Sequence, residues 1–212
     1  MNKRFLLVLA LCVLGLGTIF FLTKDKASAP NGKDNNSKVS NHVFGKGKSG
    51  VTLFEYGDFQ CPACASYFPM VKQIEARYEN QITFQFRNFP LPIHKNAFAA
   101  HRAAEAADMQ GKFWDMHDLL YENQNSWSES SGAYSIFESF AKSLGLDLVK
   151  FKSDFASAEV NDIINADKKA GEALGADSTP TFILDGKKIE PLPSSLEEFA
   201  KLIDDAIAAK NR

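Results

Sequence analysis

Two cysteines three positions apart, Cys61 and Cys64, are the residues of this sequence best suited to chemistry. They follow a short β-prone run that ends at Gly57-Asp58, and they open a stretch with helical periodicity. The first turn of a helix has unpaired N–H groups and a partial positive charge, which lower the pKa of a thiol placed there. Pro62 suits this turn because it needs no N–H donor. We therefore predict that Cys61 is an exposed nucleophile and that Cys64 lies inside as the resolving thiol.

This spacing predicts thiol–disulfide exchange but does not set its direction. In an oxidase, a substrate thiolate attacks the Cys61 sulfur and a second substrate thiol resolves the mixed disulfide; in a reductase, Cys61 attacks and Cys64 resolves. Two other interpretations remain open. The pair could be half of a zinc site, which needs two more nitrogen or sulfur ligands, or a structural disulfide, although so short a loop gains little stability from closure. We favour the redox interpretation and predict no metal or other cofactor.

Two further features are candidates for the same site. Glu55 is the single charged residue in the strand-like run 51–56, where a buried carboxylate is costly without a role or partner. We expect it to take the proton from Cys64 during resolution, and the alternative is a solvent-facing position at a sheet edge. Thr179-Pro180 precedes a second strand-like run, 181–184. A cis proline there could bring the Thr179 backbone to the disulfide, where it could pair with an extended substrate; an ordinary strand start is the alternative.

The elements around these residues predict an α/β domain. Residues 51–56 and 81–89 read as strands on either side of a helix, which is typical of a βαβ unit with a parallel pair. About eighty residues of helical pattern follow, with helices predicted over 96–109, 112–121, 134–144, 148–155 and 160–174. Strands then return at 181–184 and near Ile189 across an Asp-Gly turn, and Ser194 or Ser195 caps a last helix through Ala209. The predicted order is therefore βαβ, a helical insertion over about 92–175, then ββα.

The N-terminus predicts export. Lys3 and Arg4 precede residues 5–22, an uncharged and mostly apolar run of 18 residues, just long enough to cross a bilayer. The basic residues favour an inside N-terminus and an outside domain. We therefore predict a single-pass membrane anchor over 1–23, a flexible polar linker over 24–42 and a domain over 43–212 on the extracytoplasmic side. Secretion after cleavage near Ala27-Ser28-Ala29 is the alternative.

Composition narrows the class of function. The chain has 212 residues, 45% of them hydrophobic, and a net charge of −2, so no nucleic-acid partner is expected. Three cysteines are too few for a disulfide framework. We expect a monomer.

These motifs together resemble the DsbA-like branch of the thioredoxin superfamily. The matching segments are 54–64, Phe89-Pro90-Leu91, the Ala-rich helix with 103–107, 111–117 and 178–182. The resemblance implies a thioredoxin-like fold with a helical insertion. It also implies that Cys61 is the nucleophile, Cys64 its buried partner, Glu55 the buried acid and Pro180 the cis proline facing the disulfide. Exported cysteine-containing proteins are the implied substrates, contacted by Pro62, Ala63 and Thr179, and a membrane quinone reductase of the DsbB or VKOR type is the implied reoxidant.

Two positions depart from the best-known oxidases of this family. Ala63 stands where those oxidases have histidine, a side chain that helps to stabilise the thiolate, so we predict a less oxidising disulfide than that of DsbA. Thr179 before the proline is also found in isomerases and reductases. We expect a dithiol oxidase that introduces disulfides into exported proteins. A reductase or isomerase using the same site is one alternative, and a tethered chaperone-like binding module with a structural disulfide is another.

Overall fold

The structure, a computed structural model, describes residues 38–212. The predicted anchor and most of the predicted linker lie outside these residues. Between residues 38 and 212, no helix combines the length and apolar character that a membrane crossing requires.

A five-stranded mixed sheet forms the centre of the domain, with the strand order β1-β3-β2-β4-β5. Its strands are β1 (His42–Phe44), β2 (Thr52–Gly57), β3 (Thr83–Asn88), β4 (Thr181–Leu184) and β5 (Lys187–Lys188). Strands β2 and β3 pair in parallel, as the βαβ pattern predicted, and every other neighbouring pair is antiparallel. This arrangement places Glu55 on the central strand, opposite Phe86 of β3 and Phe182 of β4.

Eight helices accompany the sheet in the described part of the chain. They are α1 (Pro62–Tyr78), α2 (Ala97–Asp108), α3 (Phe113–Glu122), α4 (Gln124–Trp127), α5 (Ala133–Ser143), α6 (Leu148–Phe155), α7 (Ala158–Ala173) and α8 (Leu196–Lys210). The helices α2 to α7 form a continuous insertion between β3 and β4, which confirms the predicted thioredoxin-like fold with a helical insertion.

Apolar packing fixes the first helix against the sheet. Leu53 of β2 and Phe84 of β3 are buried in one cluster with Val71 and Ile74 of α1, and α8 completes this cluster through Phe199. Burial of side chains of this size stabilises by roughly 1.5–3 kcal/mol each. The helix that carries both cysteines at its start is therefore held by its own apolar face and not by the cysteines.

The insertion packs against the end of the sheet where the β2–α1 loop lies. Phe59, Phe86 and Cys64 belong to a single buried cluster with the alanine-rich face of α2 and with Phe113 and Leu120 of α3. On the opposite face of the sheet α7 comes so close that a Cβ on Gly171 would lie 2.6 Å from Tyr56 Cδ1, so glycine is required there. The insertion thus covers the β2–α1 loop.

Several element boundaries differ from the sequence prediction. Strand β1 and the four-residue helix α4 were not predicted, since neither is long enough to show a period. The predicted linker extended to residue 42, whereas Ser40 and His42 are buried and His42 begins β1. Polar partners allow this burial, because Ser40 N–H donates to Asp167 and His42 Nε2 lies 2.7 Å from Glu105 Oε1. Such distant partners leave no sign in the local sequence.

Candidate active site

The two cysteines lie at the start of α1, where the sequence placed them. Cys61 is the N-cap residue, with an extended backbone (φ −68°, ψ 122°), and Pro62 opens the helix. Both cysteines are free thiols in this structure. Cys64 is fully buried, whereas Pro62 and Ala63 are exposed. The expectation that Cys61 is an exposed thiol needs correction, because only 7% of its surface is accessible. Access to its sulfur is therefore restricted to a narrow approach.

The surroundings of Cys61 favour its thiolate. The strongest influence on the pKa of Cys61 is hydrogen bonding by the Cys64 thiol, which lowers it. Burial raises this pKa, and the Thr179 side chain and the N–H groups of Cys64 and Ala63 lower it further. Together they lower the pKa of Cys61 from 9.0 to about 5. The predicted effect of the helix N-terminus is therefore present, but it is smaller than that of the neighbouring thiol.

The segment before β4 comes up against the first sulfur. The Thr179-Pro180 peptide bond is cis, and Cys61 Sγ donates to the Thr179 carbonyl oxygen at 3.4 Å. A thiolate cannot donate to a carbonyl, so this contact belongs to the protonated thiol. The Thr179 hydroxyl is buried and has no other hydrogen-bond partner among residues 38–212, so it is the Thr179 group able to donate to the thiolate. Pro180 is buried beside it.

Cys64 and Glu55 form the inner half of the site. Burial raises the pKa of Cys64 well above 9.0, and the hydrogen bond to Cys61 and the charge of Glu55 raise it further. Glu55 is only 3% exposed, so the solvent-facing alternative is wrong. Burial, followed by the charge of Glu75, raises the pKa of Glu55 to about 8. A carboxyl group that titrates near neutral pH beside a buried thiol is suited to proton exchange with it.

Three side chains that the sequence analysis did not assign hold the β2–α1 loop. Buried Asp58 accepts hydrogen bonds from the N–H groups of Gln60 (2.8 Å) and Leu91 (2.9 Å), and its Oδ2 lies 2.7 Å from His94 Nδ1. Gln124 of α4 donates to the carbonyl oxygens of Phe59 (2.7 Å) and Cys61 (3.0 Å). The Gly57-Asp58 turn is the one local signal that could have pointed to Asp58, because Asp commonly accepts from N–H groups two residues on.

The arrangement is that of a thiol–disulfide exchange centre. Cys61 is slightly exposed and has a lowered pKa, whereas Cys64 is fully buried and has a raised pKa. Within residues 38–212 no group of three or more His, Cys, Asp or Glu side chains is placed to hold a metal ion.

Several solved structures share this fold. A thioredoxin-like oxidoreductase from Silicibacter pomeroyi is 25% identical, with a TM-score of 0.64 over 77% of this chain and 90% of that one. The α-DsbA1 protein of Wolbachia pipientis is 19% identical and BdbD of Bacillus subtilis 22%, with TM-scores of 0.67 and 0.66. They cover 83% and 78% of this chain, and 96% and 92% of their own.

Sequence comparison places the chain in a family. The family model described as thioredoxin matches residues 37–205. Curated relatives include Na(+)/H(+) antiporters NhaA of Mycolicibacterium gilvum, 33% identical over 69% of this chain, and Salinispora arenicola, 35% identical over 69%. The chain spans less than a quarter of the length of these relatives, 24% and 22%. The chain belongs to the thioredoxin family.

Proposed function

We propose that this protein is a dithiol oxidase that introduces disulfide bonds into exported proteins through Cys61 and Cys64. The observation that carries the proposal is the position of Cys61 at the start of α1, against the Thr179 carbonyl and ahead of the buried Cys64. This position lowers the pKa of Cys61 to about 5, and burial raises the pKa of Cys64. A stabilised thiolate favours the reduced form of the pair, which makes its disulfide a stronger oxidant of other thiols. The same acidity makes Cys61 the better leaving group when a substrate disulfide is released.

The proposed cycle starts from the oxidised pair. A substrate thiolate attacks the Cys61 sulfur, the Cys61–Cys64 bond breaks, and Cys64 leaves as a thiolate that takes a proton from Glu55. A second substrate thiolate then attacks the substrate sulfur of the mixed disulfide, and Cys61 leaves as a thiolate. The two electrons stay on the enzyme, and an external oxidant must remove them.

Substrate contact is proposed for the surface around Cys61. Pro62 and Ala63 are exposed beside it, and the Thr179 backbone approaches it from the other side. An extended substrate segment could pair with that backbone while its cysteine reaches the sulfur. Pro180 would shape this approach.

The cellular setting is proposed from the sequence. The apolar run 5–22 would anchor the protein in the membrane, with the catalytic domain outside, where disulfides persist. A membrane quinone reductase of the DsbB or VKOR type would then be the natural acceptor of the electrons.

The resting state of the cysteine pair tests the direction of the reaction. Thiol alkylation of acid-quenched cells should find Cys61 and Cys64 predominantly oxidised if the protein is an oxidase. A predominantly reduced pair would indicate the reductase or isomerase alternative. A Cys64→Ala variant should accumulate mixed disulfides with exported proteins, and failure to do so would favour the binding-module alternative, in which the cysteine pair is only structural.

A further inference from the structure

The inner half of the site exchanges protons with solvent that it barely reaches. Cys64 gains or loses a proton in each cycle, yet it is fully buried, and Glu55 is only 3% exposed. A proton taken by Glu55 must still reach bulk solvent before the next cycle. The following inference rests on the thiol exchange proposed above.

Glu75 is a buried carboxylate that forms an ion pair with Lys72. It lies on α1 among the buried apolar residues Val71, Ile74 and Tyr78, and it is 2% exposed. Neither of its carboxylate oxygens has a hydrogen-bond partner among residues 38–212. Burial of an unsatisfied carboxylate costs several kcal/mol, so such a group requires an explanation. Leu53, which lies on the same face of β2 as Glu55, is buried in one cluster with Ile74 of α1, the residue before Glu75. The charge of Glu75 accordingly raises the pKa of Glu55.

A path from Glu75 to water is present between α1 and α3. Lys72 Nζ lies 2.9 Å from Glu75 Oε2, though without hydrogen-bond geometry, and 3.0 Å from Asp118 Oδ2. The side chains of Lys72 and Asp118 are 36% and 30% exposed. Solvent therefore meets the charged cluster one contact away from the buried carboxylate.

The side of α3 that faces α1 also carries buried polar atoms. The Tyr121 hydroxyl and the Nε2 atom of His117 are buried without hydrogen-bond partners in the described range, although His117 Nδ1 lies 2.9 Å from Asp118 Oδ1. Burial, together with the charges of Cys64 and Glu55, raises the pKa of Tyr121 well above 10. Tyr121 thus belongs to the environment of Cys64 and Glu55, and the His117 ring packs against it with a centroid distance of 5.1 Å.

We propose that Glu75 relays the Cys64 proton between Glu55 and solvent, which it meets at Lys72 and Asp118. During oxidation of the pair, the Cys64 sulfur attacks Cys61, the Cys61–Cys64 bond forms and the bond from Cys61 to its former partner breaks. That partner leaves as a thiolate. The Cys64 proton passes to Glu55, then to Glu75 directly or through a bridging water, and leaves to bulk solvent. Reduction of the pair uses the same path in reverse. Glu75 is a positioning and relay residue, since it does not touch the reacting sulfurs.

The test separates the two thiol steps in the full-length, reduced protein carrying Cys12→Ala, so that Cys61 and Cys64 are its only thiols. Mixing the protein with excess dithiobis(nitrobenzoate) releases one coloured nitrothiobenzoate when Cys61 attacks the reagent disulfide. A second nitrothiobenzoate is released when Cys64 attacks the mixed disulfide on Cys61. Stopped-flow absorbance resolves both phases as a function of pH. Glu75→Gln is close to isosteric and Lys72→Gln changes the exposed end of the path. Glu79→Gln is the matched control, because this glutamate follows one turn later and is 51% exposed.

We expect Glu75→Gln to leave the first phase unchanged and to slow the second at least about tenfold at neutral pH, the low end of the contribution of general acid–base groups. Its pH profile should also move to lower pH, because a negative charge beside Glu55 is lost. That charge effect alone would make the second phase faster at neutral pH, so slowing identifies the relay. Lys72→Gln should slow the same phase, and Glu79→Gln should change neither.

One outcome would contradict the Glu75 relay, and another would contradict the thiol exchange at Cys61 and Cys64. A second phase of unchanged or increased rate in both Glu75→Gln and Lys72→Gln, with a normal first phase, overturns the relay. Absence of a fast first phase in the wild-type protein instead overturns the proposed thiol chemistry itself.

Discussion

Replacing Cys64 with alanine should raise the pKa of Cys61. The hydrogen bond from the Cys64 thiol is the largest of the influences that lower this pKa to about 5, ahead of the Thr179 side chain and the N–H groups of the first helical turn. Alanine removes the donor, leaves the fully buried position apolar and keeps the helix N-terminus in place.

The size of the change follows from the strength of one hydrogen bond to a charged group. Such a bond contributes roughly 1.5–3 kcal/mol, and about 1.4 kcal/mol corresponds to a tenfold change in an ionisation constant. The pKa of Cys61 should therefore rise from about 5 to between about 6 and 7. At pH 7 the thiolate fraction would fall from about 99% to between about 50% and 90%.

The assay is the pH dependence of alkylation of the single remaining active-site thiol by iodoacetamide. Cys64→Ser is the matched control, because its hydroxyl still donates to the Cys61 sulfur, and its midpoint should stay near that of the reduced wild-type protein. A midpoint near 5 in Cys64→Ala as well would show that the Cys64 thiol does not lower the pKa of Cys61. The helix N-terminus, worth about 0.3–1 kcal/mol at exposed sites and up to about 2 kcal/mol when partly buried, would then hold the thiolate without help from Cys64.

Three further predictions concern the redox potential and stability. The pKa of Cys61, about 5, lies between about 7 for thioredoxin and about 3.5 for DsbA. At about 30 mV per tenfold change, from about −270 mV for thioredoxin and about −120 mV for DsbA, the potential should fall between about −210 and −165 mV. A glutathione titration near about −120 mV would contradict this. Burial and Glu75 raise the folded-state pKa of Glu55 from 4.5 to about 8, so this group costs stability as pH rises from 4.5 to 8. Glu55→Gln should therefore unfold at higher urea than wild type at pH 7, by about 2–3 kcal/mol, with a smaller difference at pH 5. Burial opposes protonation of His42, but Asp108 and Glu105 raise its folded-state pKa from 6.5 to about 9, so its contribution is complete below 6.5 and is lost as pH rises through 9. Urea titrations should show a loss of about 2–3 kcal/mol over that window, absent in His42→Asn.

Local pattern was sufficient for the chemistry and for most elements. The helix after Cys61 and the helices of the insertion show a period that fixes their type, the strand before Cys61 is a β-prone run, and the ends of these elements mostly agree within two residues. The spacing of the cysteines at a helix start predicted that Cys64 is buried, which it is; that Cys61 is the reactive sulfur stays a prediction. The resemblance in 54–64 and 178–182 then predicted the thioredoxin-like fold, which the structure confirms.

Contacts between distant segments were beyond such reasoning. Gln124, far along the chain, donates hydrogen bonds to the β2–α1 loop. His94, 36 residues after Asp58, contacts the Asp58 carboxylate. In the sequence, Glu75 shows only the spacing of a helical residue, and its burial depends on how other elements pack around α1.

The helix start, the proline and the two thiols are neighbours along the chain, so local residue types alone predict which sulfurs can exchange electrons. The acidity of those thiols and the paths of their protons depend on how distant segments pack. Acidity depends on burial and on groups brought from β2 and the segment before β4, and no local pattern records how closely those segments approach.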